Sequence, residues 1–197
     1  DAAKANPVYS GSATEPASGI KYIIDGRRQN AGAVQISGLD LATRYSAPSA
    51  IGTLTGGLTA TYVLKYRQQF TPTTPLVDGL LNTLNNPLRL RARAELGWAR
   101  DGVASVTAYV NYTNRYRNTT VTPVASVKAM STVDLSARVE LARLLPGFGP
   151  KGLYLQAAAQ NLFDTQPPYV QNGTLAFDPQ NASATGRLLS VSLGASW

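Results

Sequence analysis

The sequence predicts an all-β fold: an antiparallel transmembrane β-barrel of the outer-membrane type, with about eight strands in this chain. Three observations support this prediction. Apolar and polar residues alternate along many segments, long connections alternate with short ones, and aromatic residues occur near both ends of the strands. Each feature is typical of a sheet with one face towards lipid and the other towards a polar interior.

Alternation is clearest at residues 87–98. Leucine, alanine and tryptophan occupy the even positions there, whereas the odd positions carry three arginines and Glu95. A strand places successive side chains on opposite faces, whereas a helix would distribute these arginines around its whole circumference. The same alternation predicts strands at residues 34–45, 53–67, 105–112, 133–141, 153–160 and 188–197, and a weaker one at 20–24. A change of phase near Gly38 predicts a β-bulge.

The connections between the predicted strands alternate in length. Short connections at residues 46–52, 100–103 and 144–151 alternate with long ones at residues 68–87, 117–128 and 164–186. In an antiparallel sheet this alternation places all long connections at one end. Outer-membrane barrels have short periplasmic turns and long extracellular loops, so the pattern also predicts which end faces the cell exterior.

Aromatic residues of the apolar face fall into two groups near opposite strand ends. The groups are Tyr45, Trp98 and Trp197 on the short-turn side, and Tyr66, Tyr112 and Tyr116 on the long-loop side. Amphipathic rings prefer the two membrane–water interfaces, so the groups predict two girdles around a band of Leu, Val and Ala.

Composition excludes several classes of function. The net charge is +7, from 18 Lys and Arg against 11 Asp and Glu, and the chain has neither His nor Cys. Without His there is no Ser-His-Asp site, and without Cys there is no thiol nucleophile. We therefore expect no catalytic residues, no metal site, no cofactor and no enzyme activity. The chain opens at Asp1 without the features of a signal peptide, as a mature product or a fragment would.

The charged residues lie opposite the apolar band and are expected to line the barrel lumen. They include Arg89, Arg91, Arg93, Glu95 and Arg138. One interpretation is that these arginines pair with carboxylates of neighbouring strands or of a plug; another is that they form an electropositive path for anionic ligands. A nucleic-acid binder would instead need its basic residues on an exposed face with aromatic platforms, so no nucleic-acid partner is expected.

The end of the chain carries an ordered set of motifs. Residues 160–169 read QNLFDTQPPY, followed by FDPQNA at 177–182, by Gly186-Arg187 and by the last strand to Trp197. This set resembles the C-terminal signature of TonB-dependent outer-membrane receptors, with Phe177 where the family usually has Tyr. Asn30-Ala31-Gly32 and Gly38-Leu39-Asp40-Leu41 are similar to a strand pair of the same family, and the resemblance covers residues 22–197.

The resemblance implies a barrel of about 22 strands with an N-terminal plug, in the outer membrane of a bacterial cell. Such receptors transport scarce nutrients, including siderophores, cobalamin and sugars, with energy from TonB. Residues 1–197 would be the C-terminal portion of the barrel, with residues 1–19 as a loop or turn, residues 20–197 as barrel strands and no plug. The implied partners are outer-membrane lipid, the rest of the barrel and plug, TonB through the missing plug, and the barrel-assembly machinery.

Two sets of candidate functional residues follow. In the long connection at 164–186, the candidates for ligand contact are Pro167, Pro168, Tyr169, Asn172 and Asp178. Ordinary turn chemistry is the alternative explanation of those residues. In the last strand, the residues that the assembly machinery would read by strand addition are Leu189, Val191, Leu193 and Trp197. These side chains would face lipid in either case.

Three other functions stay open at this point. A self-contained barrel of about eight strands, with an adhesive or structural role, fits the strand number. An outer-membrane enzyme is disfavoured by the missing His. A soluble basic β protein is disfavoured by the continuous apolar band opposite the charges.

Overall fold

The computed structural model describes residues 32–72, 74–145, 147 and 149–195. The strands are β1 (Val34–Ser49), β2 (Gly52–Gln68), β3 (Leu90–Arg100), β4 (Ala104–Thr113), β5 (Tyr116–Asn118), β6 (Ala125–Val127), β7 (Met130–Glu140), β8 (Tyr154–Gln160) and β9 (Leu188–Gly194), and a short helix, α1 (Leu141–Leu144), follows β7. The fold is therefore all-β, as predicted. The strand predicted at residues 20–24, the loop or turn at 1–19, and Trp197 lie outside the described residues.

Seven strands form one antiparallel sheet in the order β1-β2-β3-β4-β7-β8-β9, and β5 and β6 form a separate hairpin. Each strand of the large sheet therefore pairs with its neighbours in the chain, apart from the excursion through β5 and β6. Among the described residues β1 and β9 are the two edges, so this part of the chain forms an open sheet rather than a closed barrel. No helix in the described residues is long and apolar enough to cross a membrane.

Long and short connections lie at opposite ends of the sheet, as the sequence predicts. The short end carries residues 50–51, 101–103 and 141–153, and the long end carries residues 69–89, 114–129 and 161–187. We refer to the second set as the long loops.

Strand register brings most of the apolar residues of the seven strands to one face. One row runs from Leu58 through Ala94 and Val110 to Val133 across four strands. Many large apolar side chains of this face are exposed; Leu96 is 68% exposed and Val191 is 74% exposed. The opposite face carries Thr59, Arg93, Asn111 and other polar residues in the same register. We refer to these as the apolar face and the polar face.

The predicted bulge is present where β1 meets β2. Ser37 pairs with Lys65 but Gly38 pairs with Val63, so β2 contains an additional residue at this point. A Cβ atom on Gly38 would lie 2.8 Å from the carbonyl oxygen of Tyr62. Glycine therefore permits the close approach of the two strands that the bulge requires.

The main cluster of buried apolar residues lies among the long loops, not on the sheet. We refer to it as the loop core; its members are Leu84, Leu88, Tyr116, Val127 and Val170. The prediction that Tyr116 belongs to a lipid-facing girdle is therefore wrong. β4 ends at Thr113, and Tyr116 begins the β5 hairpin, where it is only 5% exposed.

Candidate functional site

The long loops are held together by a buried carboxylate. Asp178 is 1% exposed and accepts hydrogen bonds from the backbone N–H of Asn85 (3.1 Å), the backbone N–H of Gln180 (3.0 Å) and the Nδ2 group of Asn181 (2.8 Å). A buried carboxylate is stable only when such donors replace its water. Asp178 therefore fixes the 161–187 loop against the 69–89 loop.

Asparagine side chains add further links between the long loops. Asn85 and Asn172 exchange hydrogen bonds through their amides, each with Nδ2 to Oδ1 at 3.1 Å. Asn118 is buried and donates from Nδ2 to the carbonyl oxygen of Gln171 at 2.8 Å. The three long loops thus form one folded layer over the end of the sheet.

The residues that carry the resemblance shape the 161–187 loop. Asn161 donates from Nδ2 to the carbonyl oxygen of Thr165 (3.0 Å) and accepts from its N–H at Oδ1 (2.9 Å). Asp164 accepts the N–H of Arg187 at 2.9 Å, and Gly186 precedes it with a φ of 71°. That left-handed backbone favours glycine, since most side chains rarely adopt it. The contacts of these residues therefore determine the conformation of the 161–187 loop.

The pKa of Tyr116 is raised above its usual value because burial disfavours the phenolate, and the charge of the neighbouring Asp178 raises it further. A raised pKa in the folded state stabilises the neutral form, so its contribution is complete below about pH 10 and is lost as the pH rises further. We expect Tyr116→Phe to weaken this alkaline loss of thermal stability, measured as Tm in detergent between about pH 8 and pH 11.

The control for that experiment is Tyr169→Phe, because Tyr169 is 78% exposed. It should follow the parent protein at every pH. An unchanged alkaline slope in Tyr116→Phe would mean that the loop core does not respond to ionisation of this phenol.

On the polar face the charged residues are largely paired. Arg44 contacts Glu95 at 3.0 Å, Arg138 contacts Glu140 at 2.7 Å, and Arg93 lies 3.9 Å from Asp134. Arg93 also lies over the ring of Tyr109, and Arg138 over that of Tyr154, at 4.0 and 3.5 Å from the ring centres. Arg138 pairs within its own strand, whereas Arg44 and Arg93 reach carboxylates two strands away. The place of these charges in a lumen stays a prediction.

The two remaining lumen candidates lie nearer the long loops. Arg91 donates to Oδ1 of Asn181 at 2.6 Å and to the carbonyl oxygen of Gln180 at 3.3 Å. It therefore ties the wall of β3 to the 161–187 loop. Arg89 lies just before β3 and has an exposed side chain.

A cavity of about 400 Å³ opens on the polar face beneath the 161–187 loop. Its wall comes from β4, β7 and the end of β8, including Asn111, Asp134 and Gln160, and its rim from residues 181–186. Asp134 accepts hydrogen bonds from Nδ2 of Asn111 (2.8 Å) and from the N–H of Asn161 (3.0 Å). We refer to this space as the wall cavity.

The predicted ligand-contact residues do not line the wall cavity. Tyr169 is exposed, and Pro167 and Pro168 are half-buried. Asn172 is engaged with Asn85, and Asp178 is buried inside the loop layer. A direct ligand contact for Tyr169 or the two prolines stays a prediction, whereas Asp178 positions Asn181 at the cavity rim through their 2.8 Å hydrogen bond.

The candidate assembly residues lie on the last strand. Leu189, Val191 and Leu193 are exposed on the apolar face of β9, opposite Ala159, Ala157 and Leu155 of β8. Trp197 lies outside the described residues. The placement suits both lipid contact and recognition of the strand, so the assembly role stays a prediction.

Sequence reasoning missed the polar lining of the wall cavity. Gln160, Ser183 and Thr185 are far apart in the chain from Asn111 and Asp134, and only the fold brings them together. The available signal was weak: Gln160 ends an alternating strand and Asn161 follows it, and such a polar pair is common where a strand ends.

No family profile, curated protein or solved structure matches this chain.

Proposed function

We propose that this chain is the C-terminal part of the barrel of a TonB-dependent receptor in the bacterial outer membrane. In this role it contributes barrel wall and extracellular loops to the transport of a scarce nutrient, such as a siderophore, cobalamin or a sugar. The observation that carries the proposal is the exposed apolar face, which continues in register across all seven strands of the sheet.

An exposed apolar surface of this extent is costly in water. Soluble monomers rarely expose large contiguous apolar patches, and those that do use them for a partner or a membrane. Here large exposed apolar residues alternate with polar or small ones along most of the strands, for example Leu96 between Glu95 and Gly97. A two-faced sheet with lipid on one side and a polar lumen on the other explains both faces at once.

The ends of the sheet support the same proposal. Short turns at one end and a folded layer of long loops at the other are typical of periplasmic and extracellular sides. The motif residues of the resemblance, including Asn161, Asp164 and Gly186, build that loop layer.

A self-contained small barrel is less well supported than a segment of a larger one. Within the described residues β1 and β9 present unpaired edges, and open edges promote association with other strands. Further strands of the same receptor would pair with both edges.

Sidedness gives a direct test, since the chain has no cysteine to interfere with single-cysteine labelling. We expect a membrane-impermeant maleimide to label Tyr169→Cys on intact cells, because Tyr169 is exposed in a long loop. It should leave Asp101→Cys unlabelled, because Asp101 lies in a short turn on the opposite side.

Permeabilising the outer membrane is the control and should make both cysteines react. Equal labelling of both sites on intact cells would contradict the proposed membrane topology. Transport is measured in the same cells, as growth on a limiting nutrient supplied as a ferric siderophore, cobalamin or an oligosaccharide. Loss of this protein or of TonB should abolish growth on one of the three.

A further inference from the structure

We infer that the wall cavity binds a neutral, polyhydroxylated group, such as one sugar unit of an oligosaccharide. This inference rests on the proposed function and names the ligand class of the receptor. Anionic ligands are the class that it excludes at this site.

The chemistry of the lining carries the inference. Asn111 and Gln160 contribute amides, Thr113, Thr132 and Ser183 contribute hydroxyls, and Asp134 contributes a carboxylate. The amide of Asn181 is engaged by Asp178, Asn86 and Arg91 and shapes the rim. Amides and hydroxyls both donate and accept hydrogen bonds, and a carboxylate accepts two or more, which matches a ligand with many hydroxyl groups.

The lining contains no Lys or Arg among the described residues. Arg91 is engaged with Asn181, and Arg93 with Asp134 and the ring of Tyr109. Arg187, which follows Gly186 of the rim, donates to the carbonyl oxygen of Leu162 at 3.5 Å. An anionic ligand would therefore meet the carboxylate of Asp134 in a lining whose described residues carry no cation, which disfavours it.

The apolar part of the lining also suits a sugar. Met130 on β7 and Ala182 on the rim lie among the polar groups. A sugar ring has C–H faces between its hydroxyls, so a small apolar surface among hydrogen-bonding groups complements it.

The rim of the cavity is held in place before a ligand arrives. Asn181 is buried, donates to Asp178 and to the carbonyl oxygen of Asn86, and accepts from Arg91. Rigid placement of one wall reduces the entropy lost on binding. The hydrogen bonds to Asp178 and Asn86 thus hold the rim of the wall cavity against the 69–89 loop.

The test uses the protein purified from membranes in detergent, with malto-, cello- and xylo-oligosaccharides as neutral probes and an oligogalacturonate as the anionic probe. We expect at least one neutral probe to bind, measured by calorimetry. Gln160→Ala and Ser183→Trp should weaken that binding about tenfold, by removing a hydrogen-bonding group and by filling the cavity.

Gln156→Ala is the matched control. Gln156 lies on the same face of β8, about 13 Å from Gln160 along the strand, and does not line the wall cavity. Its affinity should stay within about twofold of the parent protein.

Three results would overturn the inference: no binding of any neutral probe, preferential binding of the oligogalacturonate, or neutral binding that Gln160→Ala and Ser183→Trp leave unchanged. The labelling of Tyr169→Cys and Asp101→Cys on intact cells separates this failure from failure of the proposed function. Correct sidedness with no sugar binding removes the ligand class alone, whereas wrong sidedness removes the receptor proposal.

Discussion

Replacing Ala157 by arginine is expected to destabilise the protein in a lipid bilayer by about 2–4 kcal/mol, the cost of a charged residue facing the middle of the membrane. Replacing its neighbour Ala158 by arginine is expected to cost less than about 1 kcal/mol. Both alanines lie in the centre of β8, and the substitution is the same. Only the face of the sheet differs.

The neighbours of the two alanines explain the expected difference. Ala157 pairs with Ala137 and Val191 on the apolar face. Ala158 pairs with Ser136 and Ser190 on the polar face, where an arginine could keep its water. If the apolar face met water instead of lipid, Ala157→Arg would be the less costly of the two substitutions, since Ala157 is exposed and Ala158 is half-buried.

Reversible unfolding by guanidinium in phospholipid vesicles measures both variants against the parent protein. The cost expected for Ala157→Arg corresponds to a factor of about 30 to 1,000 in the folding equilibrium relative to the parent protein. If Ala157→Arg left the free energy of unfolding unchanged and Ala158→Arg lowered it, the apolar face would not meet lipid. That result would contradict the proposed membrane location.

The strands of the large sheet were predictable because their signal is local. In β3 the two faces can be read directly from the alternation of Leu, Ala and Trp with Arg and Glu, and the register later placed each residue on the expected face. The bulge at Gly38 was indicated by the change of phase in β1, although the register places the additional residue, Leu64, in β2. Closure of the sheet is different, since it depends on pairing partners of β1 and β9.

The loop layer was not predictable, because its contacts join residues that are distant in the chain. Tyr116 continues an alternating pattern beyond β4, so the pattern alone assigned it to the lipid face. The chain turns after Thr113, and burial beside Val127, Val170 and Leu88 decides its place instead. Likewise, Asp178 looks like ordinary turn chemistry until its hydrogen bond to Asn85 of another loop is known.

The wall cavity was not predictable either, because its lining also joins residues that are distant in the chain. Asp134 is only one polar residue of an alternating strand when read in the sequence. Its significance comes from Asn111 on one side, Asn161 on the other, and a rim from residues 181–186 above. The alternation predicted which face is polar, but not where along that face a cavity forms.

Replacing Asp178 by alanine is expected to loosen the long loops by about 2–4 kcal/mol, because the substitution leaves the N–H groups of Asn85 and Gln180 and the amide of Asn181 without their buried acceptor. The sheet itself should persist, since its ladders do not involve this residue. Local opening should therefore become easier while global unfolding changes less.

Hydrogen exchange of the Asn85 and Gln180 amides measures this opening. Their exchange should accelerate by a factor of about 30 to 1,000 in Asp178→Ala, the change that corresponds to the expected free energy. Amides in the centre of β3 and β4 should exchange at the parent rate.

Asp78→Ala is the matched control, since Asp78 also lies in a long loop and pairs with Arg67 at 2.6 Å, but on an exposed surface. Exposed ion pairs contribute between about 0 and 1 kcal/mol, so the same amides should be little affected. If both variants accelerate exchange equally, the buried carboxylate has no special role. If only Asp178→Ala does so and sugar binding at the wall cavity weakens with it, then Asp178 also holds the rim at Asn181 in its binding position.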